Sequence, residues 1–317
     1  MSCKKECPAF RTSIGGQALI EGIMMRGPET IATAVRKPDG EIELKTEPIR
    51  HIFKHKFFRL PLIRGVFNFF ESMILGTKEL MYSAEFYDLE EESEPGWLER
   101  QLGDKLQSVV ITFSVILGIG LSVLLFMFLP RVLVDLLNWI FGDLNVFLQS
   151  VLEGVFRIAI FVTYLLLVTR MKDIHRVFEY HGAEHKTIFC YENRLPLTVE
   201  NVRVQSRLHP RCGTSFLCIV MIVSILTFTV LNALLGEATP AWQALLYRLL
   251  LLPVVAGISY EFIKWAGRSN GAVSRILSKP GLWLQNITTI EPDDSQIEVA
   301  IAAMTAVLPA EEKDAQW

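Results

Sequence analysis

The sequence predicts a mainly α-helical integral membrane protein with four transmembrane helices, plus a small cytosolic α+β region near the N-terminus that contains a β-hairpin. Apolar residues make up 51% of the 317 residues and the mean hydropathy is +0.34, both high for a soluble protein of this length. Four apolar runs of about 20 residues are each long enough to cross a bilayer. The segment before them alternates apolar and polar residues over short stretches, which is typical of strands.

Charge and cysteine content indicate which kinds of partner and which redox compartment the sequence favours. The formal net charge is −3 and no block of Lys and Arg is interleaved with aromatic residues, so no nucleic-acid partner is predicted. The five cysteines are irregularly spaced, which favours reduced thiols in a cytosol-facing protein over a disulfide framework.

Residues 1–105 form the predicted N-terminal region. The first residues lack the apolar core of a signal peptide, so we expect the N-terminus to stay in the cytosol. A glycine-rich motif at 14–28 allows tight turns or close backbone approach. Alternating runs at 30–36 and 41–47 flank the turn sequence Lys-Pro-Asp-Gly, and this combination predicts a hairpin.

Helical periodicity covers residues 57–86, a segment rich in Phe, Leu and Met. Because Arg59, Arg64 and Lys78 lie on it, two arrangements stay open: a helix on the membrane surface, or a helix packed against the hairpin. The acidic run at 88–94 is predicted to be a solvated linker.

The predicted transmembrane helices cover residues 109–129, 149–168, 216–235 and 245–263. Pro253 is expected to kink the fourth. Glu153 and Arg157 lie four positions apart in the second, so we expect them to neutralise each other as a snorkelling pair near one membrane interface.

Basic residues predict the orientation of these helices. The loop at 169–215 and the segment after the fourth span are rich in Lys and Arg, whereas the other two connections carry only Arg131 and Arg248, both at helix edges. By the positive-inside rule, we expect the 169–215 loop and both termini to face the cytosol, as in a protein of the cytoplasmic (inner) membrane.

The C-terminal part is predicted to contain a short helix at 269–278 that ends at Lys279-Pro-Gly281, then an amphipathic helix at 296–308 with start residues at 291–295. The predicted organisation is an N-terminal region at 1–105, a four-span membrane domain at 106–268 that includes the 169–215 loop, and a cytosolic helical tail at 269–317.

The loop contains the motif His181-Gly-Ala-Glu184-His185. We expect the second span to continue as one helix through residue 191, so the two histidines share a face, with Cβ atoms about 5–6 Å apart. Two imidazoles at this spacing can bind one metal ion, and His-x-x-Glu-His is the inverted order of a zinc-enzyme motif. The alternative is a pair of ordinary hydrogen-bonding histidines.

A zinc site needs three or four ligands, so a further donor is required. His209 and Cys212, later in the loop, are candidates, and so is Glu261 at the cytosolic end of the fourth span, unless it pairs with a neighbouring basic residue. With a divalent metal in place, Zn²⁺ being favoured, Glu184 would act as general base.

Two further chemical interpretations concern residues in or near this loop motif. Lys186 and Arg211 would suit an anionic substrate. Cys212 with His209 could instead form a nucleophile and its base.

Several motifs together resemble the YqhQ family of bacterial multi-pass membrane proteins, which have no established function, are described as predicted metal-dependent enzymes and have relatives in plant organelles. The motifs lie at residues 15–28, 181–187, 206–215, 281–285 and 291–294. The resemblance covers nearly the whole chain and implies membrane localisation and a metal ion. It does not extend to the soluble peptidases that share the five-residue histidine string.

Three hypotheses follow. The first is a metal-dependent hydrolase at the cytosolic membrane interface, acting on a lipid-linked, membrane-delivered or peptide substrate. The second is a non-enzymatic scaffold or partner subunit with a structural metal site, whose hairpin region binds a protein on the cytosolic face. The third is a small transporter, which the scarcity of polar residues within the spans disfavours. Membrane lipids surround the protein in all three.

Overall fold

The structure, a computed structural model, describes residues 10–49, 58, 60–88, 104–142, 144–235, 239–268 and 271–315. The chain divides into two compact units. Unit 1 comprises Met1–Asp88, Leu166–Val220 and Ala256–Trp317, and unit 2 comprises Leu89–Leu165 and Met221–Val255. Unit 1 therefore contains the N-terminal strands, the histidine motif and the C-terminal helices, which the sequence divides among three regions.

Four antiparallel strands form one sheet in sequence order: β1 (Gly15–Leu19), β2 (Gly22–Arg26), β3 (Thr30–Arg36) and β4 (Ile42–Pro48). The predicted hairpin is confirmed as β3 and β4, with Gly40 in the turn at a φ of +89° that favours glycine. The glycine-rich motif forms a second hairpin, β1 and β2, which the sequence did not predict.

The protein is mostly helical. The helices are α1 (Ile63–Asp88), α2 (Asp104–Val123), α3 (Leu129–Phe141), α4 (Val146–Val168), α5 (Lys172–Glu192), α6 (Val199–Arg203), α7 (Gly213–Leu235), α8 (Ala241–Arg268), α9 (Ala272–Thr288) and α10 (Asp294–Val307).

Helix α10 lies at the centre of the unit 1 core. Its start is fixed by a capping box, in which the Asp293 side chain accepts from the Gln296 amide at 2.9 Å and the Gln296 side chain accepts from the Asp293 amide. Buried Ile297, Ala300 and Met304 pack in one cluster with apolar side chains of the sheet and of α5. The same helix therefore contacts the sheet and α5, which holds β1 beside the histidine motif.

Helix α1 packs on the sheet, as the second arrangement expected for this segment predicts. The hydroxyl of Thr33 donates to the buried Glu79 carboxylate at 2.9 Å, and Lys45 lies 3.4 Å from the same group. Phe70 and Met73 on this helix are exposed. Residue 57, where the helix was predicted to start, and most of the acidic run at 88–94 lie outside the described residues.

Within the described residues, four helices are long and apolar enough to cross a membrane, the number the sequence predicted: Thr112–Phe141, Val146–Val168, Gly213–Leu235 and Trp242–Trp265. The first is longer than predicted because a π-helical turn at Leu124–Phe128 joins α2 to α3. Pro130 lies in the first turn of α3, directly after the π-helical turn.

The expectation that the second span continues unbroken through residue 191 is wrong. Helix α4 ends at Val168, Met171 is extended (φ −72°, ψ 130°) and α5 begins at Lys172. The amides of Arg170 and Met171 bond carbonyls three residues back, which closes the end of α4 tightly. Packing of α5 against β1 and α10 sets its direction, and apolar periodicity carries no information about that contact.

The predicted helix end at Lys279-Pro-Gly281 is also wrong, because α9 contains Pro280 in its interior. Gly281 instead permits close packing on α7, where an added Cβ would lie 2.4 Å from the Ser215 hydroxyl. One turn later, Gln285 bonds both backbone polar groups of His209 at 2.8 Å. These contacts offset the helix hydrogen bond that the proline removes.

The prediction of a snorkelling pair is correct in that Glu153 and Arg157 interact, but it is wrong about the environment of the two side chains. The two side chains do pair, at 2.7 Å, but both are buried and a second arginine, Arg248, joins them.

Candidate metal centre

Helix α5 places His181 and His185 on one face, as their spacing predicts, with ring centroids 4.4 Å apart. Cys212, which precedes α7, joins them: its Sγ lies 3.1 Å from His181 Nε2. One donor atom from each of the three residues lies within 4.8 Å of the others. A tetrahedral zinc ion with bonds of about 2.0–2.3 Å holds its ligand atoms roughly 3.3–3.8 Å apart, so the three donors need only a small adjustment.

The outer nitrogens of both histidines are held by backbone carbonyls. His181 Nδ1 lies 2.8 Å from the Thr288 oxygen, and His185 Nδ1 lies 2.6 Å from the Arg207 oxygen. A carbonyl oxygen only accepts, so both Nδ1 atoms carry hydrogen and the Nε2 atoms face inward. This arrangement orients histidine ligands in metal sites.

The Nε2 atom of His185 is buried and has no hydrogen-bond partner among the described residues. A buried polar atom without a partner destabilises a protein by about 1–3 kcal/mol. A cation coordinated by this atom would remove that cost, so the residues present fit a metal ion.

The Cys212 thiol is poised as a thiolate. Burial raises the pKa of Cys212, but the charges of His185 and His181 and the hydrogen bond from His181 outweigh it and hold the pKa well below its usual range. The amide and hydroxyl of Thr214 also lie 3.4 and 3.3 Å from Sγ and donate to it. Conversely, burial lowers the pKa of His181, but the Cys212 thiolate raises it to about 9. Protonated His181 and the Cys212 thiolate therefore form an ion pair, in which the thiolate stabilises a positive charge at the position of His181.

Glu184 lies beside this group without belonging to it. Its carboxylate accepts a hydrogen bond from the Gly16 amide at 3.0 Å, and it is buried. Burial raises the pKa of Glu184, although the charges of His181 and His185 oppose that rise. A cavity of about 220 Å³ borders Gly16 and is also lined by Gln17 and Arg26. Glu184 itself is not among the residues that line this cavity. A buried carboxyl group with a raised pKa suits proton transfer.

The structure does not bring the other two candidate ligands into the group. His209 packs against Phe189, with ring centroids 4.6 Å apart, and its Nε2 faces the buried Glu192 at 3.6 Å. Burial lowers the pKa of His209 to about 4. Glu261 instead pairs with Arg64, with Nε to Oε1 at 2.6 Å.

The basic residues expected to face an anionic substrate have structural partners instead. Lys186 is buried, donates to the Arg203 oxygen at 2.7 Å and pairs with Glu291. Arg211 pairs with Glu192, which also accepts from the Thr12 amide. Cys212 has His181, not His209, as its hydrogen-bonded histidine.

Sequence reasoning missed the groups that act through their backbone. The Gly16 amide and the carbonyls of Thr288 and Arg207 bond the motif from 168, 107 and 22 residues away. Their side chains give no chemical signal, and only the glycine-rich composition around Gly16 hinted at a close backbone approach.

Comparison with known proteins agrees with the family expected from the motifs. Residues 60–310 match a family described as "Protein of unknown function (DUF1385)". The chain is also 37% identical over 315 residues to "Uncharacterized protein YqhQ" of Bacillus subtilis (strain 168), covering 98% of this chain and 96% of that protein. No solved structure matches.

Proposed function

The chain belongs to the DUF1385 family, and we propose that it is a metal-dependent membrane enzyme, a hydrolase whose site lies at the cytosolic membrane interface. His181, His185 and Cys212 would hold a divalent ion, with Zn²⁺ favoured because two imidazoles and a thiolate are ligands that zinc prefers. The substrate class is lipid-linked, membrane-delivered or peptide.

One observation carries the proposal: both histidines are fixed at Nδ1 by carbonyls, and His185 Nε2 is buried with no partner among the described residues. Three protein donors are the number found in catalytic zinc sites, which keep a fourth position open. The basic loop at 169–215 supports a cytosolic placement through the positive-inside rule.

In the proposed hydrolysis, different residues of the chain take different roles. A bound zinc ion would act as a Lewis acid and lower the pKa of water at the site. Glu184 would take the proton from that water and later return it to the leaving group, and its buried position keeps its pKa raised for this exchange. The Gly16 amide holds the carboxylate in place, and Arg26 lines the neighbouring cavity, where it would bind a negative group of the substrate.

Metal content of the purified full chain tests the ligand assignment. We expect His181→Ala, His185→Ala and Cys212→Ser to lose bound zinc, and His175→Ala to retain it. His175 is a matched control because it lies on the same helix, pairs with Glu179 at 3.2 Å and is nearly half exposed. Equal zinc in His185→Ala and His175→Ala, both folded by circular dichroism, would overturn the proposal.

Cobalt substitution separates an enzyme from a scaffold with a structural metal. A Co²⁺–thiolate charge-transfer band that is absent in Cys212→Ser identifies the cysteine as ligand. Added azide shifts the visible spectrum only if a coordination position is open, so an unchanged spectrum would favour the scaffold.

A second candidate function rests on the 3.1 Å contact between His181 Nε2 and Cys212 Sγ. That pair has the geometry of a thiolate nucleophile and its base, as in cysteine-dependent acyl transfer. Iodoacetamide discriminates the two: zinc protects Cys212 from alkylation if the metal site is correct, whereas a nucleophile reacts equally with and without zinc.

A further inference from the structure

Unit 2 contains a buried charge cluster that the proposed function does not use. Arg248 of α8 binds Glu153 of α4 through two hydrogen bonds of 2.8 and 3.0 Å, and Arg157 binds the same carboxylate at 2.7 Å. All three residues are at most 7% exposed. They lie in helices that are apolar enough to cross a membrane, where charged side chains are costly and usually functional.

The cluster has one more positive charge than negative. Both guanidinium groups lie over the Phe228 ring, at 5.4 and 5.7 Å from its centroid, and Arg157 also donates to the Phe126 oxygen. These contacts stabilise the cations without neutralising them. The Arg248 Nε atom is buried and has no hydrogen-bond partner among the described residues.

A cavity of about 520 Å³ adjoins the cluster within unit 2. Arg248, Asn232 and Ser150 line it and are linked to one another: Arg248 donates to the Asn232 oxygen at 3.2 Å, and the Asn232 amide donates to the Ser150 hydroxyl. Arg131 and Asp135 also line it, 3.1 Å apart, and balance each other's charge. The charged lining therefore has a net charge of +1, supplied by Arg248.

Apolar side chains, among them Met127, Val132 and Leu245, make up most of the rest of the lining, together with the uncharged polar residues Asn138, Gln149 and Thr239. A cationic group, polar side chains and apolar side chains in one cavity match an amphiphile with an anionic head. The volume falls within the range of about 300–1,000 Å³ typical of small-molecule sites.

We propose that this cavity binds a phosphodiester group, whose single negative charge equals the excess positive charge of the Glu153, Arg157 and Arg248 cluster. Arg248, the member of the cluster that lines the cavity, donates to this group, with Asn232 and Ser150 as neighbouring polar contacts. The ligand source is either an anionic phospholipid or a soluble phosphodiester. The site is independent of His181, His185 and Cys212.

Binding to the full chain in detergent tests the proposal, with short-chain phosphatidylglycerol as the lipid probe and glycerophosphoglycerol, its acyl-free head group, as the soluble probe. Saturable binding of phosphatidylglycerol alone assigns the lipid as source, and competition by glycerophosphoglycerol at similar concentration assigns the soluble phosphodiester. Binding of neither probe, or equal binding of short-chain diacylglycerol, which has the acyl chains and no phosphodiester, would overturn the proposal.

Two variants locate the site. We expect Arg248→Gln to weaken binding by about tenfold or more, the loss expected for one charge-assisted hydrogen bond. Arg203→Gln, the same change at a half-exposed arginine that pairs with Asp294 in unit 1, should leave binding unchanged. Equal affinity in both variants would overturn the proposal.

If Arg248→Gln does not fold, Asn232→Asp is a second variant that tests the same site. This near-isosteric change places a negative charge 3.2 Å from Arg248, where the ligand charge would otherwise lie. We expect a higher Tm in the absence of ligand and loss of phosphatidylglycerol binding. A lower Tm of ligand-free Asn232→Asp together with unchanged phosphatidylglycerol binding would overturn the proposal, because the added negative charge would then neither stabilise the cluster nor displace the ligand.

Discussion

The Gly16 amide and the Glu184 carboxylate, 168 residues apart in the sequence, are joined by a hydrogen bond of 3.0 Å. This bond connects the edge strand β1 to the histidine-bearing helix α5. It also links the proposed proton-transfer group to Gly16, which lines the cavity of about 220 Å³. The first hairpin is thus part of the site, which gives the glycine-rich motif a physical role.

Gly16→Ala tests this connection. An added Cβ would lie 2.5 Å from the Met24 carbonyl oxygen and 3.1 Å from the Glu184 carboxyl carbon, so backbone must move. We expect a loss of about 1–3 kcal/mol in the free energy of unfolding, measured by denaturant titration. Gly15→Ala is the matched control, because nothing lies within 4 Å of its added Cβ. Equal stability of the two variants would contradict the close approach.

Gln285→Leu tests how the loop before Cys212 is held. Gln285 satisfies both the amide and the carbonyl of buried His209, and leucine would leave them unpaired. We expect a cost of about 1–3 kcal/mol for each unpaired group, with weaker zinc binding because Cys212 lies three residues further on. Asn286→Leu, at an exposed position of the same helix, should change stability by less than about 0.5 kcal/mol. A mild effect of Gln285→Leu would mean that water replaces the amide.

Chelation links the proposed metal to stability. An ion that binds only the folded protein stabilises it by about 2.7 kcal/mol at 100 times the Kd. We expect a strong chelator to lower the Tm of the zinc-loaded wild type and to have no effect on His185→Ala, as measured by differential scanning fluorimetry. A chelator effect of equal size in both proteins would show that the ion binds elsewhere.

Glu261→Gln tests whether Glu261, one of the metal ligands predicted from the sequence, binds zinc. Glu261 pairs with Arg64 and accepts from the Leu62 amide, and both side chains of the pair are partly exposed. We therefore expect a stability change of at most about 1 kcal/mol and full retention of zinc. Zinc loss from folded Glu261→Gln would restore this residue as a ligand.

Local patterns were sufficient for much of the fold. Apolar runs predicted four helices long enough to span a membrane, and alternation around a Pro-Asp-Gly turn predicted the β3–β4 hairpin. Both signals depend on residues close together in the chain. The same is true of His181 and His185, which share a face because they are separated by one helical turn.

The interpretations that failed depended on contacts between distant segments. Proline and glycine at 280 and 281 are local signals for a helix end, yet α9 continues because Gly281 packs on Ser215. The break after Val168 follows from the packing of α5 on β1 and α10. At neither position do the neighbouring residues in the sequence indicate which distant segment packs there.

By itself the sequence determined the four long apolar helices, one hairpin and the histidine pair, because each depends on residues a few positions apart, and a set of short motifs determined the family. Tertiary structure alone decided that Cys212 rather than His209 or Glu261 meets those histidines, and that Arg248 joins Glu153. These choices depend on where segments 20 to 100 residues apart are brought together by packing, and many pairings of such segments are compatible with the same local patterns.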